Sequence, residues 1–467
     1  MNKRCLAAIA ALACTNAAQT AEFGDIHPDT QEALRQIYSA TGGDNWLNKA
    51  GWSADGEINC DAFGIRCEPD GMEYFPKRED FPTTVVGLAL PENNLTGTLP
   101  ADLSALAYLQ TLDLSNNNLS GALPTGWRVW LDLDLSHNDF SGAIPEGVWM
   151  HTLTRIDMSY NRFSALPAAD LESLGNTART DLASIDLSHN RISELPATMG
   201  SVMFLTLPGS INLSDNLLSG DFPSVLQEVT GLSALDLSHN SFSGALPEAP
   251  LSLASLDISF NRFSGDLPQS LPQSLSREGE ALQLRADFNA LYSTDETVLA
   301  YVQNAGAADF PASQTLSPAQ LQLSDISADS VVLSFSRADT TPATEGGYIV
   351  QLAQSINGPF GDVQTLPGRD TLSTTLTGLD PQTDYWVRVL SYSDIEPQTL
   401  SSAALLQTAY RLRSDAASAE VQAFTTSSAL PEDTAQNDDP DDDKDSGGVF
   451  SPLFLLFGGL WGLRRRR

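Results

Sequence analysis

Apolar residues recur along residues 85–292 once every two dozen positions or so. The string LDLSNNNLSGALP at Leu112 returns as LDLSHNDFSGAIP at Leu133 and LDLSHNSFSGALP at Leu235. Aligned on the asparagine, the pattern reads LxxLxLxxNxLxGxLP. Its asparagines are Asn93, Asn117, Asn138, Asn161, Asn190, Asn216, Asn240 and Asn261, spaced 21 to 29 residues apart when Asn289 is added. Asn289 marks a ninth, degenerate copy in which Ala286 replaces a leucine. The LxL stretch predicts a short strand with both leucines on one face, because successive side chains alternate. The apolar residue two after the asparagine (Leu95, Phe140, Phe242, Phe263) turns back inward. The asparagine is expected to be buried at the bend, bonding loop backbone that would otherwise be unpaired. One copy cannot bury its own apolar face, so copies stack into a solenoid. The expected architecture is α/β in type, with a parallel sheet and a mostly irregular convex side. Nine strands at roughly 4.8 Å give an arc of ~40 Å. Ala165 and Glu194 replace the glycine of the pattern and longer connections follow both, so regular curvature is not expected there.

Both ends of such a stack need covers. Residues 30–40 carry Ala33, Leu34, Ile37 and Tyr38 on one helical face. TGGDNWLNKAGW and CDAFGIRC follow. Trp46 and Trp52 read as core of this N-terminal cap, with sugar stacking as the alternative. At the other end Ser293 and Glu296 suggest a capping box, opening a helix with Val298, Leu299 and Val302 on its covering face.

From residue 313 the long period gives way to runs of alternating polarity: SVVLSFS at Ser330, YIVQL at Tyr348, TLSTTLTGL at Thr371, YWVRV at Tyr385 and VQAFT at Val421. Period two with turn residues between runs predicts an all-β sandwich. PEDTAQNDDPDDDKDSGG follows, too acidic and too poor in apolar residues to fold alone. It reads as an extended linker, although its aspartates are also the oxygen ligands that Ca²⁺ takes. The chain closes on a 15-residue apolar run, Val449 to Leu463, and four arginines. That run is short for a bilayer span of about 20 residues, and the arginines favour a cytoplasmic C-terminus.

The N-terminus has the order of a secretory signal: Lys3 and Arg4, an apolar stretch from Leu6 to Ala13, then small residues at Ala17 and Ala18. Cys14 after Ala-Leu-Ala keeps a lipoprotein reading open. Export explains the cysteines. Cys5 and Cys14 lie in the signal, and Cys60 and Cys67 are expected to pair in an oxidising compartment. The segments are then a signal at 1–21, a cap at 22–84, the solenoid at 85–292, a helical cap at 293–312, the sandwich at 313–428, the linker at 429–446 and the tail at 447–467. The 59 acidic against 25 basic residues leave a formal charge of −34, which argues against nucleic-acid binding, since that requires basic surface.

The repeats resemble the leucine-rich-repeat family in its plant-type variant with LSGxIP, over residues 85–291. The cap resembles that of plant-type and related bacterial repeat proteins, which carries a disulfide of this spacing. LDPQTDYWVRV resembles the fibronectin type III signature. Tyr385 matches the tyrosine corner of that fold, and Phe335 stands where its tryptophan is usual. Ser-Gly-Gly, apolar run and arginine cluster resemble the GlyGly-CTERM sorting signal of Gram-negative bacteria. That resemblance implies cutting by a rhomboid-type protease near Gly447 or Gly448. It also implies transient inner-membrane anchoring and delivery to the surface by type II secretion.

Candidate chemistry lies on the concave face. The residue between the two leucines is Asp113, Asp134, Asp157, Asp186, Asp236 or Asp257, with Asn212 interrupting. An aspartate row attracts basic peptides or cations, although LDLS is also simply the family consensus. His137, His189 and His239 share the column before the asparagine. They come from alternate copies, about 10 Å apart, too far to converge on a zinc ion that needs ligands at about 2 Å, so no metal or other cofactor is expected on the solenoid. Tyr160 and Phe260, in the same column, are better ligand contacts. No phosphate loop, GxSxG elbow, HExxH helix or catalytic Cys/His arrangement is present, so an enzyme is not expected. The leading reading is a surface protein that binds a protein or peptide on the concave face. The runner-up is a polysaccharide binder, and the third a hydrolase with an unrecognised site.

Overall fold

The computed structural model describes residues 26–69, 83–124, 129, 131–145, 154–167, 183–196, 209–224, 232–248, 253–274, 281–307, 310, 312–337, 345–395, 410–414 and 419–428. The signal, the acidic linker with its Ca²⁺ reading, and the tail with Gly447 and Gly448 lie outside these residues. Among the described residues no helix is long and apolar enough to cross a membrane.

The first helix, α1 (Pro28–Ala40), starts two residues before the stretch expected from the sequence. Pro28 is preset for the first turn, and His27 Nδ1 accepts from the Asp29 N–H. Ala33, Leu34, Ile37 and Tyr38 are buried. Trp46 and Trp52 pack edge to face at 5.0 Å and are core of the cap. Their indole N–H groups donate to the Thr41 and Phe63 carbonyls, so the sugar-stacking alternative falls. Cys60 and Cys67 are joined, with Cα atoms 5.7 Å apart.

The strand Ile65–Pro69 pairs antiparallel with Thr83–Ala89. From there the concave sheet is parallel, one strand per repeat: Thr111–Asp113, Asp132–Asp134, Arg155–Asp157, Ser184–Asp186, Ser210–Asn212, Ala234–Asp236, Ser255–Asp257 and Gln283–Arg285. Leu112, Leu133, Ile156, Ile185, Ile211, Leu235, Leu256 and Leu284 lie in register and are buried. The nine copies read from the sequence thus supply nine parallel strands.

The pattern asparagines tie each repeat to its predecessor. Asn190 Nδ2 donates to the Met158 carbonyl one repeat back and to Leu187 and Ser188 in its own loop, while Oδ1 accepts from the Phe163 N–H. Gln314 extends this ladder past its last asparagine, donating to the Ala286 carbonyl and accepting from the Leu291 N–H. Its longer side chain serves where the chain no longer makes the bend.

The convex side is more regular than the sequence suggested. Short parallel strands run from Thr96–Thr98 through Asn118–Gly121 and Asp139–Ala143 to Arg162–Ala165, and again from Ser219–Gly220 through Ser241–Gly244 and Arg262–Asp266 to Ala290–Tyr292. The break falls at the repeat where Glu194 replaces glycine. Pattern glycines such as Gly142 sit at positive φ, which a side chain disfavours. Ala165 does not adopt it, and the pairing shifts register beside it.

The second helix, α2 (Glu296–Asn304), corrects the expected capping box. Its N-cap is Asp295, whose carboxylate accepts from Thr297 and Val298 N–H. Ser293 Oγ instead accepts from the Asp295 N–H. A carboxylate in the cap position outcompetes a hydroxyl two residues earlier because it also meets the positive end of the helix dipole.

Beyond residue 318 two antiparallel sheets form. One holds Ala319–Ser324, Ser330–Ser336 and Ser373–Thr377; the other holds Gly361–Pro367, Gly346–Ala353, Asp384–Ile395, Tyr410–Arg413 and Val421–Thr425. Phe335 packs edge-on against Tyr348 in the core. The Tyr385 hydroxyl accepts from the Asp380 N–H at 3.0 Å, closing the corner expected there.

Candidate binding face

Strand register sets the six candidate aspartates in one row with Asn212 among them. The row is less free than an outward column implies. Oδ1 of Asp113, Asp134, Asp157, Asp186 and Asp257 accepts from both the N–H and the hydroxyl of the serine two residues on. Asp236 accepts the N–H of Ser238. Asn212 makes the same pair of bonds with Ser214, so the local turn needs an oxygen and not a charge.

The second oxygen faces the concave side. Arg155 bonds Asp157 Oδ2 at 2.9 Å and lies 3.7 Å from Asp134 Oδ2. Arg285 lies 3.4 Å from Asp257 Oδ2, and Asn212 donates to Asp186 Oδ2. Neither arginine was singled out from the sequence. Arg155 precedes Asp157 by two and so shares its face by strand alternation, a signal that was there to use. Burial raises the pKa of Asp134, against the lowering effect of the Ser136 bonds, and the carboxylates of Asp157 and Asp113 add to the rise. Burial likewise raises Asp236.

Beside this row runs a second column, the residue before each pattern asparagine. Glu92, Asn116, His137, Tyr160, His189, Asp215, His239, Phe260 and Phe288 all adopt the left-handed conformation, with φ between 50 and 56°. A shared backbone turn aims these side chains the same way, and the rings stack. His137 lies 4.1 Å from Tyr160, and Tyr160 lies 3.9 Å from His189. His239 lies 4.2 Å from Phe260, and Phe260 lies 4.3 Å from Phe288. Tyr160 and Phe260 are therefore covered on both faces and offer a ligand only their edges.

Asp215 stands between the two stacks, its Oδ2 3.6 Å from His189 Nε2. Burial pushes its carboxyl up to about 7, and Asp236 adds to the rise. Burial also holds His189 and His239 below the ordinary histidine value. Ring nitrogens point along ring planes, and parallel planes separated by other rungs share no point for an ion. Among the described residues no three His, Cys, Asp or Glu are placed to hold a metal.

The fibronectin type III domain model matches residues 316–404, and the leucine-rich repeat model matches 108–130, 231–253 and 252–274. The chain is similar to a probable leucine-rich repeat receptor-like serine/threonine-protein kinase of Arabidopsis thaliana, 29% identical over 113 residues, 21% of this chain and 10% of that protein. It is also similar to receptor like protein 21 of Arabidopsis thaliana, 30% identical over 155 residues, 32% of this chain and 13% of that protein. The chain thus spans only 10 to 13% of the length of these curated relatives. Among solved structures it is similar to the Arabidopsis receptor kinase HAESA in complex with the peptide hormone IDA and a co-receptor, at 33% identity over 43% of this chain and 33% of that chain, with a TM-score of 0.35. A plant ice-binding protein matches at 23% identity over 60% of this chain and 93% of that chain, with a TM-score of 0.39. The chain carries leucine-rich repeats, with a disulfide in the segment before them, and a fibronectin type III domain after them.

Proposed function

We propose that this chain is an exported recognition protein of a bacterial surface that binds a protein or peptide on the concave face of its solenoid, with the fibronectin type III domain as stalk. The observation that carries the reading is the concave aspartate row. In each of its six aspartates one oxygen is spent on the local turn, and the row is only partly neutralised, by Arg155 and Arg285. Such a surface favours a basic partner through electrostatic complementarity. The polysaccharide reading is weakened because Tyr160 and Phe260 keep no free ring face for a sugar. The sorting tail supports surface delivery by its order of residues.

A hexalysine peptide titrated against the full chain tests the charge argument. Affinity should fall between about 0.05 M and 0.5 M salt, as screening shortens the reach of exposed charges. The variant Asp134→Asn/Asp157→Asn/Asp186→Asn should keep its fold, because Asn212 already makes the same bonds in the row, and should bind more weakly. Unchanged affinity in that variant defeats the acidic-face reading. Retention of the chain on a polysaccharide column, with no capture of a protein or peptide from extracts, would favour the glycan alternative.

A further inference from the structure

The residues that close the solenoid also open the sandwich. Ser313, Gln314 and Thr315 lie along the ninth copy as a last rung. The Ser313 carbonyl accepts from the Phe288 N–H at 3.1 Å, and the Thr315 N–H donates to the Asn289 carbonyl at 2.8 Å. The Thr315 hydroxyl is bonded elsewhere, at 2.7 Å to Ser393 Oγ in the long sandwich strand Asp384–Ile395. Arg369 Nη2 donates to the same Ser393 oxygen at 3.0 Å. One residue is therefore held by the solenoid through its backbone and by the sandwich through its side chain. Only the torsions φ and χ1 of Thr315 separate the two bonds, and a β-branched side chain is stiff at χ1. Gln314, Thr315 and Ser393 are all 0% exposed.

The chain beyond leaves no slack. The first strand of the sandwich, Ala319–Ser324, opens four residues on, a reach of at most ~14 Å. Ser317 Oγ donates to Ser414 Oγ at 2.9 Å. Pro318 is buried, and proline fixes its own φ and disfavours helical backbone at Ser317. A flexible linker between domains has the opposite character, exposed and with few contacts to either side. We propose that solenoid and sandwich form one rigid body joined through Thr315, so that the sandwich fixes the angle at which the concave face is presented. The stalk then acts as a bracket and not as a tether. A partner meets the face at a set orientation to the sandwich, whatever the chemistry of that partner.

Backbone nitrogen relaxation and residual dipolar couplings of the deuterated full chain test this. Amides of Leu133 and Leu235 in the solenoid and of Val350 and Val387 in the sandwich, all buried, should report one tumbling time and one alignment tensor. Gly-Ser-Gly-Ser-Gly-Ser inserted between Thr315 and Leu316 should abolish that agreement, with the smaller sandwich tumbling faster. Two tumbling times or two tensors in the unmodified chain overturn the proposal. An insertion that leaves a single time and tensor overturns it as well, because the junction is then not what joins the two parts. Thr315→Val keeps the shape of the side chain and deletes the hydroxyl. It should lower the hydrogen-exchange protection of the amide at position 315 about tenfold, since the sandwich no longer steadies the bond to Asn289. Unchanged protection there defeats the assignment of the joint to this residue.

Discussion

Replacing Asp215 by asparagine should stabilise the solenoid at alkaline pH and leave it unchanged in acid. The carboxyl is held at about 7 against an ordinary value of 3.8. The native state therefore binds this proton more tightly than the unfolded chain does. The stabilising contribution of the protonated form is complete below 3.8 and is lost as pH rises through about 7. The difference corresponds to about 4 kcal/mol. The side chain is 19% exposed, so water reaches the carboxylate and the realised penalty should be smaller, about 1–3 kcal/mol. Asparagine has nearly the same shape and carries no charge at any pH. Asn116 already occupies this column at φ 56°, beside 53° for Asp215, so the backbone accepts it. Urea unfolding of both chains, followed by far-ultraviolet circular dichroism at about pH 4 and pH 8, measures the difference directly. Taking the difference between the chains cancels the groups that do not interact with Asp215; His189 and Asp236, which do, contribute to the difference. Asp215→Asn should match wild type near pH 4 and exceed it by about 1–3 kcal/mol near pH 8. A variant no more stable than wild type at the higher pH would refute the argument that burial of this carboxylate is costly.

Three further outcomes are expected. Asn190→Ala should cost about 2–5 kcal/mol, because it strands the buried Phe163 N–H and Met158 carbonyl; native-state hydrogen exchange should show the Phe163 amide losing protection, and an unaltered rate would contradict the ladder account. Opening the Cys60–Cys67 bond should destabilise the cap by about 2–3 kcal/mol, as for other short loops, and free thiols in protein taken from the cell envelope would show that the bond does not form there. Mature protein should end near Gly447 or Gly448. Changing both to leucine should leave an uncut form in the inner membrane, and mass spectrometric recovery of intact Val449 to Leu463 from surface-exposed protein would rule out sorting by cleavage.

The sequence by itself determined the nine-strand solenoid, its asparagine ladder, the N-terminal cap and the sandwich that follows. Each of these is written as a local period. A leucine two residues from another must share its face, and an asparagine every two dozen residues must meet the same bend each time. The N-cap at Asp295 was missed because Ser293 satisfies the same local rule and only the actual helix start separates them. The convex strands were missed because they are two to five residues long and are held by neighbouring repeats more than by their own propensity.

The candidate site was legible only as single columns. That the aspartates share one face followed from alternation, but that the serine two residues on takes one oxygen of each of them is a matter of loop geometry. The ring column shows the limit most clearly. His137, Tyr160 and His189 are more than twenty residues apart along the chain and look like variable positions between conserved-looking ones. Stacking brings them within about 4 Å of one another, because every repeat repeats the same left-handed turn and the sheet register aligns those turns. Sequence alone could name Tyr160 and Phe260 as rings on a surface. Only the tertiary structure decided that their faces are already occupied and that Asp215 separates the two stacks, since which faces are spent depends on what the neighbouring repeats place above and below.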